Sequence, residues 1–113
     1  MSQVTTHVLD TSTGIPAQGI KVTFEMLSGN TDWVMLGNGS TNSDGRISDL
    51  LKADAILSPG TYRITFGTSD YFSKQGLKAF YPYVQLVFVI SDNKHYHIPL
   101  LLSPFGFTTY RGS

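Results

Sequence analysis

Ile20-Lys21-Val22-Thr23-Phe24-Glu25-Met26 is the stretch on which the fold turns. Apolar and polar residues alternate strictly, and a period of two belongs to a strand with one buried face. Upstream, Val4, Thr6 and Val8 alternate with Thr5, His7 and Leu9. Asp10-Thr11-Ser12-Thr13-Gly14 breaks that run, and Pro16 prolongs the loop. Downstream, Ser28-Gly29-Asn30 turns the chain, and Trp33 to Leu36 reads as a strand running on towards Asn42. Ser43-Asp44-Gly45-Arg46 carries the Asp-Gly signal of a two-residue hairpin, whose central residues both take φ > 0. Arg46 and Ile47 open a short strand beyond it.

Asp49 to Leu57 reads as loop and Ser58-Pro59-Gly60 as a turn, with a fifth strand from Thr61 to Gly67. Ser69 to Gln75 is the one expected helix, about two turns long, with Ser69 as N-cap and Gly76 as the glycine that ends it. Three more strands follow: Val84 to Ile90, Lys94 to Leu102 and Phe107 to Arg111. Seven to eight short strands in 113 residues predict an all-β, two-sheet sandwich forming a single domain over residues 1–113. In Val84-Gln85-Leu86-Val87-Phe88-Val89-Ile90 both faces are apolar. That predicts either a subunit contact or a deeply central strand.

Composition narrows the function. Eight Lys and Arg balance eight Asp and Glu. The chain therefore lacks the basic excess by which a protein holds nucleic acid or an anionic membrane. With no cysteine, disulfides, thiolate catalysis and Cys-based zinc sites are excluded. Met1-Ser2-Gln3-Val4 reads as a strand start without the features of a secretory signal. Tyr110-Arg111-Gly112-Ser113 is not a peroxisomal tail. The expected compartment is the cytoplasm.

His7, His95 and His97 are the three histidines, the side chains whose ordinary pKa suits proton transfer near neutrality. Parity puts Tyr96, Ile98, Leu100 and Leu102 on a core face, so His95 and His97 point away from it. His7 likewise points away from Val4, Thr6 and Val8. Two strands could join these histidines only if their outer faces line one cleft. His95-Tyr96-His97 also has the spacing of a His-x-His metal pair. Arg46 could hold a planar anion through two hydrogen bonds. The residues alone leave three readings: solvated histidines, a metal pair, or a histidine active site.

Two stretches carry a resemblance. Thr5-Thr6-His7-Val8-Leu9-Asp10 resembles the N-terminal signature of 5-hydroxyisourate hydrolases. His95-Tyr96-His97-Ile98-Pro99-Leu100-Leu101-Leu102-Ser103-Pro104-Phe105-Gly106-Phe107-Thr108-Thr109-Tyr110-Arg111-Gly112-Ser113 resembles their C-terminal signature, which ends in Tyr-Arg-Gly-Ser. Gly60-Thr61-Tyr62-Arg63, Tyr71-Phe72 and Phe80-Tyr81-Pro82 also fit, so the likeness spans nearly the whole chain.

The resemblance implies a transthyretin-like sandwich with one short helix. It further implies a homotetramer, a dimer of dimers with a central channel. Where transthyretin has Lys in its first strand, this chain has His7. Where transthyretin has Glu after the hairpin, it has Arg46. Two transthyretin threonines, one in the seventh strand and one in the last, correspond to His97 and Tyr110. The implied reaction is hydrolysis of 5-hydroxyisourate in urate degradation. His7 and His97 would handle water and protons and Arg46 would hold the small-molecule substrate. Tyr110, Arg111, Gly112 and Ser113 would shape the pocket. Neither cofactor nor metal is implied. The rival reading is a transthyretin-like carrier of small aromatic ligands, without catalysis.

Overall fold

A computed structural model, describing residues 2–113, resolves the alternating segments into two β-sheets packed face to face. Met1, read above with Ser2 to Val4, lies outside the described residues. The elements are β1 (Val4–Asp10), β2 (Ile15–Pro16), β3 (Lys21–Ser28), β4 (Asp32–Ser40) and β5 (Arg46–Ile47). They continue with β6 (Gly60–Phe66), α1 (Thr68–Ser73), β7 (Val84–Ile90), β8 (Tyr96–Ser103) and β9 (Gly106–Thr109). One sheet has the order β2-β1-β8-β9, with β5 also pairing β1; the other is β4-β3-β6-β7. The pair β1–β8 is parallel, and every other pair is antiparallel.

The core forms where the inward residues of both sheets meet. Val4 and Val8 of β1 meet Ile98, Leu100 and Leu102 of β8. Opposite them lie Val22 and Phe24 of β3 and Tyr62, Ile64 and Phe66 of β6. Phe24 stacks on Tyr62 with ring centroids 5.5 Å apart. Each such side chain contributes about 1.5–3 kcal/mol through burial, so the period-two pattern sets which face of each strand turns inward.

Four expectations change in detail. Pro16 lies in a strand, not a loop: Ile15 and Pro16 fold back onto Asp10 and Leu9, where an edge position costs proline no ladder bond. The turn before Arg46 is not a two-residue hairpin. Gly45 alone has positive φ, at 73°. Its N–H bonds Asn42 O at 2.9 Å, and Asn42 N–H bonds Arg46 O at 3.0 Å. The chain then crosses from β4 in one sheet to β1 in the other. The N-cap falls two residues early, at Gly67, with Ser69 inside the helix, and the last helical residue is Ser73, not Gln75. Gly76, at φ 72°, does end it, through Gly76 N–H to Ser73 O and Leu77 N–H to Phe72 O. Finally, β7 is not central. It is an edge strand whose Val87 and Val89 stand 60% and 64% exposed.

Candidate active site

Strand pairing assembles the site. The parallel β1–β8 register sets Thr5 opposite His97, and the β1–β5 register sets His7 opposite Arg46. Because Val4, Thr6 and Val8 are fully buried on the inner face, Thr5 and His7 emerge on the outer one. Thr6 tolerates the core by donating its hydroxyl to Ile98 O at 2.6 Å.

Arg46 owes its place to the turn before it. Asn42 Oδ1 accepts the N–H of Asp44 at 2.9 Å and of Arg46 at 3.0 Å, which fixes where the short strand starts. Gly45 is required twice over. Its φ is left-handed, and a Cβ there would lie 2.4 Å from Val8 O.

Thr5, Arg46, Ser48, His95, His97 and Ser113 line an open depression of about 210 Å³ on this outer face. His7 stands beside it, opposite Arg46. Thr5 Oγ1 lies 2.9 Å from His95 Nε2 and 2.8 Å from His97 Nδ1. The two His-x-His rings thus share a threonine. Among the described residues, no group of three or more His, Cys, Asp or Glu is arranged to hold a metal ion.

The electrostatics favour uncharged imidazoles. Burial chiefly pulls the His97 pKa below its ordinary 6.5, helped by the positive charge of Arg46 and by His95 and His7. Burial and then Arg46 also lower His7, against a backbone hydrogen bond at Asp44 and the Asp44 carboxylate, which raise it. A neutral imidazole can take a proton from water, while the neighbouring guanidinium can attract negative charge.

The last residues divide. Gly112 N–H bonds His97 O at 2.8 Å, bringing Ser113 into the depression. A Cβ on Gly112 would fall 2.7 Å from His97 Cδ2, so the glycine is what lets the tail lie against the ring. Tyr110 and Arg111 do not line this depression. They border a second hollow of about 390 Å³ beside β7, where the Arg111 guanidinium sits 4.2 Å over the Tyr96 ring.

Proline explains the division. Continuing the β8–β9 register would pair Pro99 with Tyr110, but proline has no N–H to give. Thr109 Oγ1 takes the Pro99 carbonyl at 2.7 Å instead, β9 ends at Thr109, and pairing resumes at His97–Gly112. The structure thus brings His7, Arg46, His97, Gly112 and Ser113, all expected at the site, into one neighbourhood, and sets Tyr110 and Arg111 apart from it. Sequence reading missed Thr5 and Ser48. Thr5 was within reach, since it shares the parity of His7; Ser48 follows the strand and has no periodic signal.

Comparison with known proteins agrees with this architecture. The profile of the HIUase/Transthyretin family matches residues 4–112. The chain is 46% identical over 114 residues to a 5-hydroxyisourate hydrolase of Mus musculus, covering 99% of this chain and 96% of that one. Among solved structures, the 5-hydroxyisourate hydrolase of Klebsiella pneumoniae superposes with a TM-score of 0.84 at 38% identity, covering 97% and 98% of the two chains. Sea bream transthyretin, solved with thyroxine, superposes with a TM-score of 0.90 at 28% identity, covering 97% and 94%. The backbone is shared by hydrolase and carrier alike, and the match runs through both sheets and the histidine face: the chain belongs to the HIUase/transthyretin family.

Proposed function

We propose that the chain hydrolyses 5-hydroxyisourate to 2-oxo-4-hydroxy-4-carboxy-5-ureidoimidazoline, a step of urate degradation. The observation that carries this reading is Arg46 beside two histidines held towards neutrality, on the face where Ser113 also lies. Water adds to a ring carbonyl and a ring C–N bond breaks. A histidine takes the proton from the attacking water, and the Arg46 guanidinium steadies the charge that develops on the carbonyl oxygen. A histidine then returns a proton to the leaving nitrogen. Gly112 and Ser113 close one wall of the pocket. A carrier would need none of these proton-transfer groups, and His7, Arg46 and His97 stand where transthyretin has Lys, Glu and Thr.

The single domain works as a homotetramer, a dimer of dimers with the histidine faces lining a central channel. The support is β7: an apolar, exposed edge strand is an aggregation hazard unless another chain covers it. The second hollow, with Tyr110 and Arg111 on its rim, lies along the same edge. The chain acts in the cytoplasm. Among the described residues, no helix is long and apolar enough to cross a membrane. The test follows the ultraviolet decay of 5-hydroxyisourate made in place from urate by urate oxidase. Decay faster than the spontaneous rate supports hydrolysis. Decay at the spontaneous rate, with thyroxine-like ligands bound, moves the carrier reading to first place. Light scattering on dilution tests the assembly, and a fully active monomer would overturn the shared channel.

A further inference from the structure

We propose that Thr5 is a positioning residue that sets which nitrogen of His97 faces the substrate and relays its proton to His95. The inference rests on the hydrolase reading above. Thr5 is only 5% exposed, so its hydroxyl is shielded from water. Its Oγ1 lies 2.9 Å from His95 Nε2 and 2.8 Å from His97 Nδ1. The two rings do not bond one another; their centroids are 6.2 Å apart and the threonine bridges them. A hydroxyl has one proton and two lone pairs. When it donates to one ring it accepts from the other, so the tautomers of the two histidines are coupled.

In the resting arrangement the Thr5 O–H donates to His95 Nε2 and accepts from His97 Nδ1–H. His97 Nε2 then carries the lone pair, and no protein group hydrogen-bonds it among the described residues. Water gives a proton to that nitrogen as its oxygen bonds the ring carbonyl carbon, and the carbonyl electron pair moves onto its oxygen beside Arg46. His97 now carries two protons. Its Nδ1 proton passes to Thr5 Oγ1 while the threonine's own proton passes to His95 Nε2. The exposed His95 releases its Nδ1 proton to solvent. His97 is neutral again, with its proton on Nε2. As that proton moves to the leaving nitrogen the relay runs in reverse: His95 Nε2–H gives its proton to Thr5, Thr5 gives its own to His97 Nδ1, and His95 regains a proton on Nδ1 from solvent.

The direction follows from the surroundings. Charge on His97 is opposed by burial, by Arg46 on β5, by His7 on β1 and by His95 itself. His95 is exposed to water. The Asp44 carboxylate acts on His7, and the Asp92 carboxylate is taken up by Lys94 N–H and the Tyr96 hydroxyl.

The test compares Thr5→Val, which keeps the shape and loses the hydroxyl, with Thr5→Ser, which restores it, and with His95→Asn. For each, kcat and KM are measured across pH, and the His97 tautomer is read from imidazole 15N shifts. Thr5→Val should lower kcat roughly 10- to 100-fold with KM moved less than about threefold, and its His97 should become a mixture of tautomers. Thr5→Ser should restore both the rate and the single tautomer, and His95→Asn should slow kcat with KM kept. Full kcat and an unchanged pH profile in Thr5→Val, or in His95→Asn should Thr5→Val fail to fold, would overturn the relay. So would a Thr5→Ser variant as slow as Thr5→Val, since only packing would then be at stake. If the wild type itself does not hasten substrate decay, the hydrolase reading fails. The tautomer readout still decides whether Thr5 positions His97.

Discussion

His7 and Arg46 face one another across the β1–β5 pairing, setting an imidazole inclined to stay neutral beside a permanent cation. The pairing does two things at once. It disfavours protonation of the histidines, and it leaves a guanidinium where negative charge develops in the reaction.

Arg46→Gln separates those effects. Arg46 is second only to burial in lowering His7 and His97, so both pKa values should rise when it is removed. The acid limb of kcat/KM should move to higher pH, and kcat/KM at its optimum should fall roughly 100-fold. A pH–rate profile checks this; an acid limb that stays in place would show that Arg46 does not act on the histidines.

The same shifts bear on stability. The folded-state pKa values of His7 and His97 lie below 6.5, so the unfolded chain binds protons at these two groups first as pH falls. The stability these groups contribute is complete above 6.5 and is lost as pH drops through their lowered folded values. Denaturation midpoints should therefore decline from neutral to mildly acidic pH, and His97→Asn should flatten the decline. An equally steep decline in that variant would remove His97 from the explanation.

Gly112→Ala places a methyl group where His97 Cδ2 and Pro99 Cγ already stand, 2.7 and 3.2 Å from the new carbon. The ring or the tail must give way. Because Gly112 is only half-buried and Arg111 and Ser113 beside it are exposed, kcat should fall well before the melting temperature does. Unchanged kinetics would mean that the contact does not hold the ring.

Tyr71→Phe should act in the opposite sense. The Tyr71 hydroxyl donates to Asp10 Oδ2 at 2.8 Å, tying α1 to the end of β1, and Asp10 is fully buried. Removing that donor should cost about 1–3 kcal/mol with kcat intact, as thermal melts and initial rates would register. A variant as stable as wild type would show that Ser12, which also donates to Asp10, is partner enough.

β1, β3, β6 and β8 were legible because each carries one buried face, and alternation records that directly. Parity on β1 and β8 even assigned His7 and His97 to the outer face before any partner was known. What alternation cannot record is which strands lie side by side. The parallel β1–β8 pairing and the crossing of β5 onto β1 join residues about 90 and about 40 positions apart, respectively, and only this brings Arg46, His7 and His97 together. Two-residue β2 is too short to have a period. Tyr110 and Arg111 were grouped with Gly112 and Ser113 by motif, yet Pro99 interrupts the ladder between them.

The central claim is that the histidine face beside Arg46 performs the hydrolysis. Its most direct test is the ultraviolet decay of freshly generated 5-hydroxyisourate with wild type, with His97→Asn, and with wild type plus a chelator. Wild type should give rapid decay, folded His97→Asn a rate near the spontaneous one, and the chelator no effect. Rapid decay by His97→Asn, or loss of activity to the chelator alone, would contradict it.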